Sequence, residues 1–316
     1  MLQFHSVTGC NCTGLYDETL GIASSWFFLT LGMAHYPLTV QDASGTPVVI
    51  KAKPARISSK TLFSDEVLKE LVDDQRLTSV TALADNENFS NVVDQYPTSI
   101  PRMDMNVEAI LANKPDILFA ANWSEPNKVA QLRAAGVNVF ILPTPYTLDE
   151  IEDLIELVGD IVGEEDKAEM VVMEMQRKLQ QSLVPNSNEY TVIDYNSWGS
   201  SSTKHSTWQL ILDEAGFKNA TESFQADKYG QTPLSKEMLI ALDPDVMFLP
   251  SWVYGEVDAA EKFRDQVIDD PALQNLKAIQ QGNVFQMPEA LRGTYSQHIV
   301  DSILYVNHAV LGEAAP

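Results

Sequence analysis

The chain has 316 residues, 45% of them hydrophobic and 21% charged, and carries a net charge of -23 from 44 Asp and Glu against 21 Lys and Arg. This length is more than one hydrophobic core usually serves, so two lobes are expected in a folded globular protein. The acidic balance leaves no basic face for phosphates, which excludes nucleic-acid binding and disfavours anionic membrane surfaces.

Residues 1–35 are expected to form a signal or N-terminal extension. The stretch 21–34 is apolar, ends in small residues and is too short for a membrane span, which is typical of a secretory signal core cleaved near Ala34. The first basic residue is Lys51, so the usual positively charged start of a signal is missing. A strand or helix packed on the domain stays open as the alternative. A cleaved signal would place the protein in the periplasm or on the exterior of the cell envelope.

From Tyr36 onward, strands and helices alternate. YPLTVQD and TPVVIKA predict a hairpin that turns near Ser44 and Gly45. The elements expected next are a strand over 55–59, a helix capped by Ser64, a strand over 77–82, a helix over 107–112, a strand over 117–121, a helix over 129–135 and a strand over 137–142. This alternation predicts the α/β class, with mostly parallel sheets covered on both faces.

An internal repeat predicts that the two lobes are similar. NVEAILANKPDILFAANW at 106–123 matches SKEMLIALDPDVMFLPSW at 235–252, so that Glu108 aligns with Glu237 and Trp123 with Trp252. A second match joins NVF at 138–140 with NVF at 283–285, each followed by a proline three residues later. Helix, Pro-Asp turn, buried strand, helix and strand therefore occur twice.

Between the repeats, apolar residues over 148–183 have helical spacing, with a short break near Gly163. The expected organisation is an N-terminal lobe over 36–147, a connecting helix over 148–185 and a C-terminal lobe over 186–316. Two similar α/β lobes would then be joined by one long helix.

Signatures of the common enzyme classes are absent from the sequence, among them G-x-S-x-G, the phosphate-binding loops and H-E-x-x-H. The run GSSST, with Ser200 to Ser202, is expected to be a polar surface turn. Cys10 and Cys12 are the only cysteines, and the five histidines are scattered. We therefore expect no catalytic residues, no metal site and no cofactor.

Six segments carry a resemblance to a known family. They are YPLTVQDASGTPVVIKAKPARI, RISSKTLFSDEVLKEL, NVEAILANKPDILFA, AAGVNVFILP, the connecting helix and TPLSKEMLIALDPDVMFL. In this order and spacing, over 36–311, they resemble the class III periplasmic binding proteins of ABC importers, which carry ferric siderophores, haem or cobalamin. The resemblance implies a monomer with its ligand in a cleft between the lobes, which delivers that ligand to a permease dimer and its ATPase.

The resemblance also implies that one glutamate of each lobe meets arginines of the permease. The matching positions are Glu108 and Glu237. The alternative is that each is only a first-turn glutamate favoured by the helix dipole.

Ligands of α/β lobes bind beyond the carboxyl ends of the strands, and the loops expected there are rich in aromatic residues. These residues are Trp123, Tyr146, Trp198, Trp252, Tyr254 and Tyr295. Aromatic walls suit a large, flat, partly apolar ligand, whereas packing between the lobes is the alternative role for each ring.

Arg102 and Arg292 occupy comparable loops in the two lobes. Facing each other, they would bind an anionic ligand with planar, multidentate hydrogen bonds; a salt bridge to a surface carboxylate is the alternative for each. A ferric siderophore therefore ranks first as the ligand, followed by cobalamin or another corrinoid. Haem ranks third, because the tyrosine expected at position 100 is missing and the nearest one is Tyr96. A tetrapyrrole or metal-chelate enzyme on a similar frame, and a surface sensor or adhesin, are the rivals from other classes.

Overall fold

The computed structural model describes residues 36–182 and 190–312, so the predicted N-terminal signal lies outside the described residues. The N-terminal lobe contains β1 (Leu38–Gln41), β2 (Pro47–Ile50), β3 (Ile57–Ser59), α1 (Leu62–Leu71), β4 (Leu77–Ser79), α2 (Val107–Asn113), β5 (Ile117–Ala121), α3 (Pro126–Ala134) and β6 (Val139–Leu142). Short 3-10 turns at Asp74–Arg76 and Ala82–Asp85 flank β4.

The second half repeats this alternation. After α4 (Leu148–Val162) and α5 (Glu165–Ser182) come β7 (Thr191–Asp194), β8 (Ser200–Ser202), α6 (Thr207–Ala215), β9 (Lys218–Asn219), β10 (Gln231–Pro233), α7 (Lys236–Leu242), β11 (Val246–Pro250), α8 (Ala259–Ile268), α9 (Lys277–Gln280), β12 (Val284–Met287), α10 (Glu289–Arg292) and α11 (Ile299–Leu311). Within the described ranges, no helix is long and apolar enough to cross a membrane.

Each lobe is built on a parallel four-stranded sheet. The strand order is β4-β3-β5-β6 in the N-terminal lobe and β9-β7-β11-β12 in the C-terminal lobe, and every neighbouring pair is parallel. The central strands β5 and β11 are buried at every position, as expected for strands covered by helices on both faces. The predicted α/β class with parallel sheets is therefore confirmed.

The Pro-Asp turn of the repeat has a physical role that is the same in both lobes. Asp116 Oδ2 accepts hydrogen bonds from the backbone N–H groups of Ala55 (2.8 Å) and Arg56 (2.9 Å), just before β3. Asp245 Oδ2 accepts from the N–H (2.8 Å) and hydroxyl (2.7 Å) of Thr191, at the start of β7. Each aspartate thus bonds the start of a neighbouring strand: Asp116, just before β5, holds β3, and Asp245, just before β11, holds β7. This shared role accounts for the recurrence of the aspartate in the repeat.

Helix α1 begins before the predicted cap. Ser64 was expected at the N-cap, but Thr61 holds this position and its Oγ1 accepts the Ser64 N–H at 2.9 Å. Ser64 is instead fully buried and hydrogen-bonded to Ser59, so the helix starts three residues nearer to β3 than the sequence indicated.

The predicted connecting stretch forms two antiparallel helices, divided at the break near Gly163 that the sequence indicated, and the long helix α5 joins the lobes. Helix α4 ends at Gly163, whose φ of +70° is a left-handed conformation that glycine adopts without strain. The chain then reverses, and Gln176 of α5 donates to Glu152 of α4 at 2.8 Å. Helix α5 reaches both lobes, because Lys167 donates to the Leu71 carbonyl (2.8 Å) and Lys178 pairs with Asp301 of α11 (2.7 Å).

One hydrophobic cluster continues from lobe to lobe through these helices. It includes Phe119 of the first sheet, Val172 of α5, Ile299 of α11 and Phe248 of the second sheet. Smaller clusters cover the outer face of each sheet. Since the lobes share one core, large rotations of one lobe against the other would expose apolar surface and are disfavoured.

The close approach of α4 and α5 depends on Gly159. A Cβ atom at this position would lie 2.5 Å from the Cβ of Ala168 in α5. Gly159→Ala is therefore expected to lower the free energy of unfolding by about 1–3 kcal/mol through overpacking. The double variant Gly159→Ala/Ala168→Gly, which removes the clashing methyl, should recover at least half of that loss. Urea denaturation of both variants measures the effect, and equal loss in both would contradict this packing.

Candidate ligand-binding cleft

A cavity of about 520 Å³ opens between the two lobes. Its N-terminal wall is formed by Asn122 and Trp123, which follow β5, and by Thr144 and Tyr146, which follow β6. Its C-terminal wall comes from residues within 202–208, 228–231 and 289–295, the last of these following β12. The cavity therefore lies at the carboxyl ends of both parallel sheets, where ligands of such sheets bind.

Aromatic rings from both lobes line this cavity. Trp123 is 65% exposed and lies edge-on to Tyr295, with 6.5 Å between the ring centroids. Tyr295 in turn stacks on Phe63 of α1 at 5.5 Å, and its burial raises the pKa of its hydroxyl. Tyr146 lies edge-on to His205 of the opposite lobe at 6.1 Å. The structure thus brings together the predicted residues Trp123, Tyr146 and Tyr295.

Trp198 and Trp252 line a smaller neighbouring cavity of about 100 Å³. Trp252 packs edge-on against Phe89 of the other lobe, with centroids 5.1 Å apart, so lobe packing accounts for part of its position. Trp198 is 79% exposed. Glu289 and Arg292 form a wall that both cavities share.

Arg102 does not line either cavity. Its Nε and Nη2 donate to the two carboxylate oxygens of Asp85, each at 2.7 Å. Its remaining donors are directed at the backbone carbonyls of Tyr96, Pro97 and Ile100. Arg102 therefore connects its own loop to the turn after β4 through hydrogen bonds. The prediction that Arg102 faces Arg292 across the cleft is wrong.

Arg292 lies in the cavity wall but is already paired. Its Nη2 donates to Asp194 at 2.8 Å, and Nη1 lies 3.6 Å from Oε1 of Glu289 in the same helical turn. Burial acts to lower the pKa of Arg292, but the charges of Asp194 and Glu289 outweigh it, so the pKa is raised. The guanidinium is therefore a permanent cation shared between two carboxylates.

Asp194 at the end of β7 is fully buried and organises this wall. It accepts from the Ser201 hydroxyl (2.9 Å) and from the N–H (2.7 Å) and hydroxyl (2.8 Å) of Ser202. Ser201 and Ser202 are buried in β8, so the expectation that GSSST forms a polar surface turn is wrong. These serines lie close to the cavity because they donate hydrogen bonds to Asp194, at the end of the strand before them.

Two buried polar atoms in the wall lack a hydrogen-bond partner in the structure. They are Nε1 of Trp208, whose side chain is 2% exposed, and Oε1 of Glu289. Burial raises the pKa of Glu289, the charge of Arg292 lowers it, and the charge of Asp194 adds to the rise. Sequence reasoning missed both residues, since a tryptophan in a helix and a glutamate beside an arginine carry no local signal of a binding role.

The two glutamates of the repeat occupy equivalent exposed positions. Glu108 follows the cap Asn106, whose Oδ1 accepts the Ala109 N–H at 2.9 Å. Glu237 follows the cap Ser235, whose Oγ accepts the Met238 N–H at 3.2 Å. Hydrogen bonds from its own N–H and from Ser235 lower the pKa of Glu237. Both carboxylates are accessible at the start of short helices, one on each lobe.

Among residues 36–182 and 190–312, no group of three or more His, Cys, Asp or Glu side chains is placed to hold a metal ion. A ligand in this cavity would therefore contact aromatic rings, hydroxyls, amides and the Arg292 guanidinium with its two carboxylates.

A sequence profile described as periplasmic binding protein matches residues 57–291. The chain belongs to this family. The match begins at β3 and ends in α10, so it covers both sheets and most of the cavity wall.

Curated relatives of this periplasmic binding protein are distant. It is 26% identical over 227 residues to an uncharacterized ABC transporter substrate-binding lipoprotein, YvrC, of Bacillus subtilis, covering 67% of this chain and 68% of that protein. It is 25% identical over 221 residues to a cobalamin-binding protein of Halobacterium salinarum, covering 67% of this chain and 58% of that protein. It thus spans less than two thirds of the haloarchaeal protein.

Solved structures support the fold. An ABC-type Fe3+-hydroxamate transport protein of Saccharomonospora viridis superposes with a TM-score of 0.67 at 19% identity, covering 88% of this chain and all (100%) of that one. A periplasmic binding protein of Veillonella parvula gives a TM-score of 0.69 at 18% identity, covering 87% and 97%.

The lobes are joined across the cleft by the buried carboxylate of Glu66 in α1, which is 1% exposed. Its Oε1 accepts from the N–H (3.0 Å) and side-chain amide (2.9 Å) of Asn91 in its own lobe. Its Oε2 accepts from the Thr294 hydroxyl at 3.0 Å and from the Ser296 hydroxyl, both in the opposite lobe. Its backbone carbonyl also accepts from the Gln297 amide at 2.9 Å. One side chain therefore fixes the loop that carries Tyr295 against α1.

Glu66→Ala would leave these N–H and O–H groups buried without an acceptor. We expect a loss of about 2–4 kcal/mol in the free energy of unfolding, because unsatisfied buried donors are costly. Glu70→Ala, an exposed change in the same helix, is the control and should cost less than about 1 kcal/mol. Guanidinium denaturation gives both values, and similar small losses for the two variants would contradict the role of Glu66.

Proposed function

We propose that this protein is the extracytoplasmic solute-binding subunit of an ABC importer, and that it carries a bulky metal chelate of the ferric siderophore class. The observation that carries the proposal is the cavity of about 520 Å³, which has aromatic rings from both lobes and lies at the carboxyl ends of both parallel sheets. Such a space suits a ligand larger than a single amino acid or ion. The family membership and the similarity to an ABC transporter substrate-binding lipoprotein support the same role.

Capture follows from the residues of the wall. Trp123, Tyr146 and Tyr295 cover apolar faces of the chelate, while hydroxyl and amide side chains such as Ser202 and Gln231 hydrogen-bond its polar rim. Arg292 also lines this cavity, where it is paired with the carboxylates of Asp194 and Glu289. No bond is made or broken here, and ATP hydrolysis is assigned to the partner ATPase.

A corrinoid is the second candidate. It is supported by the similarity to a protein named as cobalamin-binding and by the number of hydroxyl and amide groups in the cavity, which suit the many amides of a corrinoid. It would use the same cavity and the same delivery route.

Binding is tested by calorimetric titration of the purified protein with ferrichrome, ferric citrate, haem and cyanocobalamin. We expect submicromolar affinity for a chelate of the panel. Trp123→Ala should weaken that affinity by about tenfold or more, because the ring provides a large contact area. Tyr190→Ala, at an aromatic residue outside the cavity, is the control and should leave affinity unchanged. Absence of binding to every chelate would reject the proposed function.

Delivery is assigned to Glu108 and Glu237, which protrude from equivalent helices of the two lobes. Working as a monomer, the protein would place one carboxylate on each subunit of the permease dimer, where basic side chains would pair with them. The apolar side chains Met238 and Ile240, 38% and 43% exposed, flank Glu237 and would add contact area on that side.

The double charge reversal Glu108→Lys/Glu237→Lys tests this assignment. With the cognate transporter in proteoliposomes, it should reduce stimulation of ATPase activity at least about tenfold through repulsion between like charges, while ligand affinity is retained. Glu169→Lys/Glu261→Lys, at two exposed positions on α5 and α8, is the matched control. If both double variants stimulate the ATPase like the wild type, docking through Glu108 and Glu237 is excluded.

A further inference from the structure

The wall that Arg292 shares with Glu289 is not a cationic surface. In this wall Arg292 contacts two carboxylates, at 2.8 Å from Asp194 and 3.6 Å from Glu289. The side chains of these three residues are 17%, 0% and 13% exposed. Since two negative charges meet one positive charge in a poorly hydrated wall, this part of the cavity is negative rather than positive.

The rest of the described cavity lining does not reverse this balance. Lys228 lies at the exposed rim, with its ammonium 4.6 Å from the centroid of the Tyr229 ring. His205 packs against Tyr146. Arg102, the cation expected from the other lobe, is held by both oxygens of Asp85. A chelate with several negative charges would therefore enter without a free buried cation to meet it.

The hydrogen-bonding capacity of the wall is also uneven. Asp194 accepts four hydrogen bonds, from Ser201, twice from Ser202 and from Arg292. Glu289 Oε1 is buried beside the cavity and accepts no hydrogen bond; the nearest cation, Arg292 Nη1, lies at 3.6 Å, which is an ion-pair distance. The indole N–H of Trp208 donates none. A buried acceptor and a buried donor without partners are costly unless a ligand or water completes them.

We propose, building on the solute-binding role above, that Glu289 and Trp208 select a neutral or positively charged metal chelate that carries amide groups. An amide N–H or a comparable donor bonds to Glu289 Oε1, and a carbonyl oxygen accepts from Trp208 Nε1. Glu289 also repels polyanionic chelates, so it is a specificity-determining residue. The chemistry is shared by peptide hydroxamate siderophores and by corrinoids with amide side chains, and the experiment separates these two sources.

The experiment is a calorimetric titration of the wild-type protein with four compounds. Ferrichrome is a neutral ferric hydroxamate with peptide amides, and cyanocobalamin is a neutral corrinoid with amide side chains. Ferric citrate and a ferric tris-catecholate are the anionic compounds. We expect one of the two neutral compounds to bind at least about 100-fold more tightly than either anion, since buried groups left unpaired discriminate strongly. Which of the two binds identifies the source of the amide.

Variants then assign the selectivity to the two residues. Glu289→Gln keeps the shape and removes the charge, so the ratio of neutral to anionic affinity should fall at least about tenfold. Trp208→Phe removes the N–H and should weaken the amide chelate about tenfold, with little change for the anions. Glu261→Gln, an exposed change on α8, is the control and should keep the wild-type ratio. Thermal unfolding of each variant confirms that it is folded.

The outcomes separate this inference from the proposed function. Tight binding of an anionic chelate, or an unchanged ratio in a folded Glu289→Gln protein, would overturn the charge selectivity and leave the transport role in place. No binding of any compound would overturn both.

Discussion

A buried carboxylate needs hydrogen-bond donors, and Glu66 receives them from both lobes. Its donors come from Asn91 on one side and from Thr294 and Ser296 on the other. Because a charge without partners is strongly unfavourable in a buried site, this contact fixes the relative position of α1 and the loop before α11. Tyr295 lies in that loop and stacks on Phe63, so the aromatic wall of the cleft follows from the same constraint.

The shared core has a consequence for motion. Helix α5 contacts both lobes, and the hydrophobic cluster that it belongs to includes residues of both sheets. Opening of the cleft would therefore proceed by small displacements that preserve this core and separate contacts across the cleft such as Tyr146 to His205. The docking proposed above therefore relies on surface positions on each lobe and does not need a large change of shape.

The arginine in the cavity wall is paired with carboxylates of this acidic protein. The chain carries 44 acidic and 21 basic residues, yet the cavity wall places Arg292 between Asp194 and Glu289, and Oε1 of Glu289 accepts no hydrogen bond there. The comparable loop positions of Arg102 and Arg292 predicted an anion site. Their partners in space remove the basis for that prediction, since Arg102 is held by Asp85 and Arg292 is already paired with two carboxylates.

The sequence by itself determined the class of the fold, the repeat and the order of strands and helices in the first lobe, because alternating strand and helix patterns and the Pro-Asp turn are local signals. It also predicted that Trp123, Tyr146 and Tyr295 lie together at one cleft, since residues that follow parallel strands share one edge. Only the tertiary structure decided that α4 and α5 fold back at Gly163, that Arg102 pairs with Asp85, that Glu66 joins the two lobes, and that Trp208 and Glu289 lie in the cavity wall. Those contacts join side chains that are far apart in the chain, such as Arg292 with Asp194 across 98 positions, and no local pattern specifies which of many carboxylates an arginine will meet.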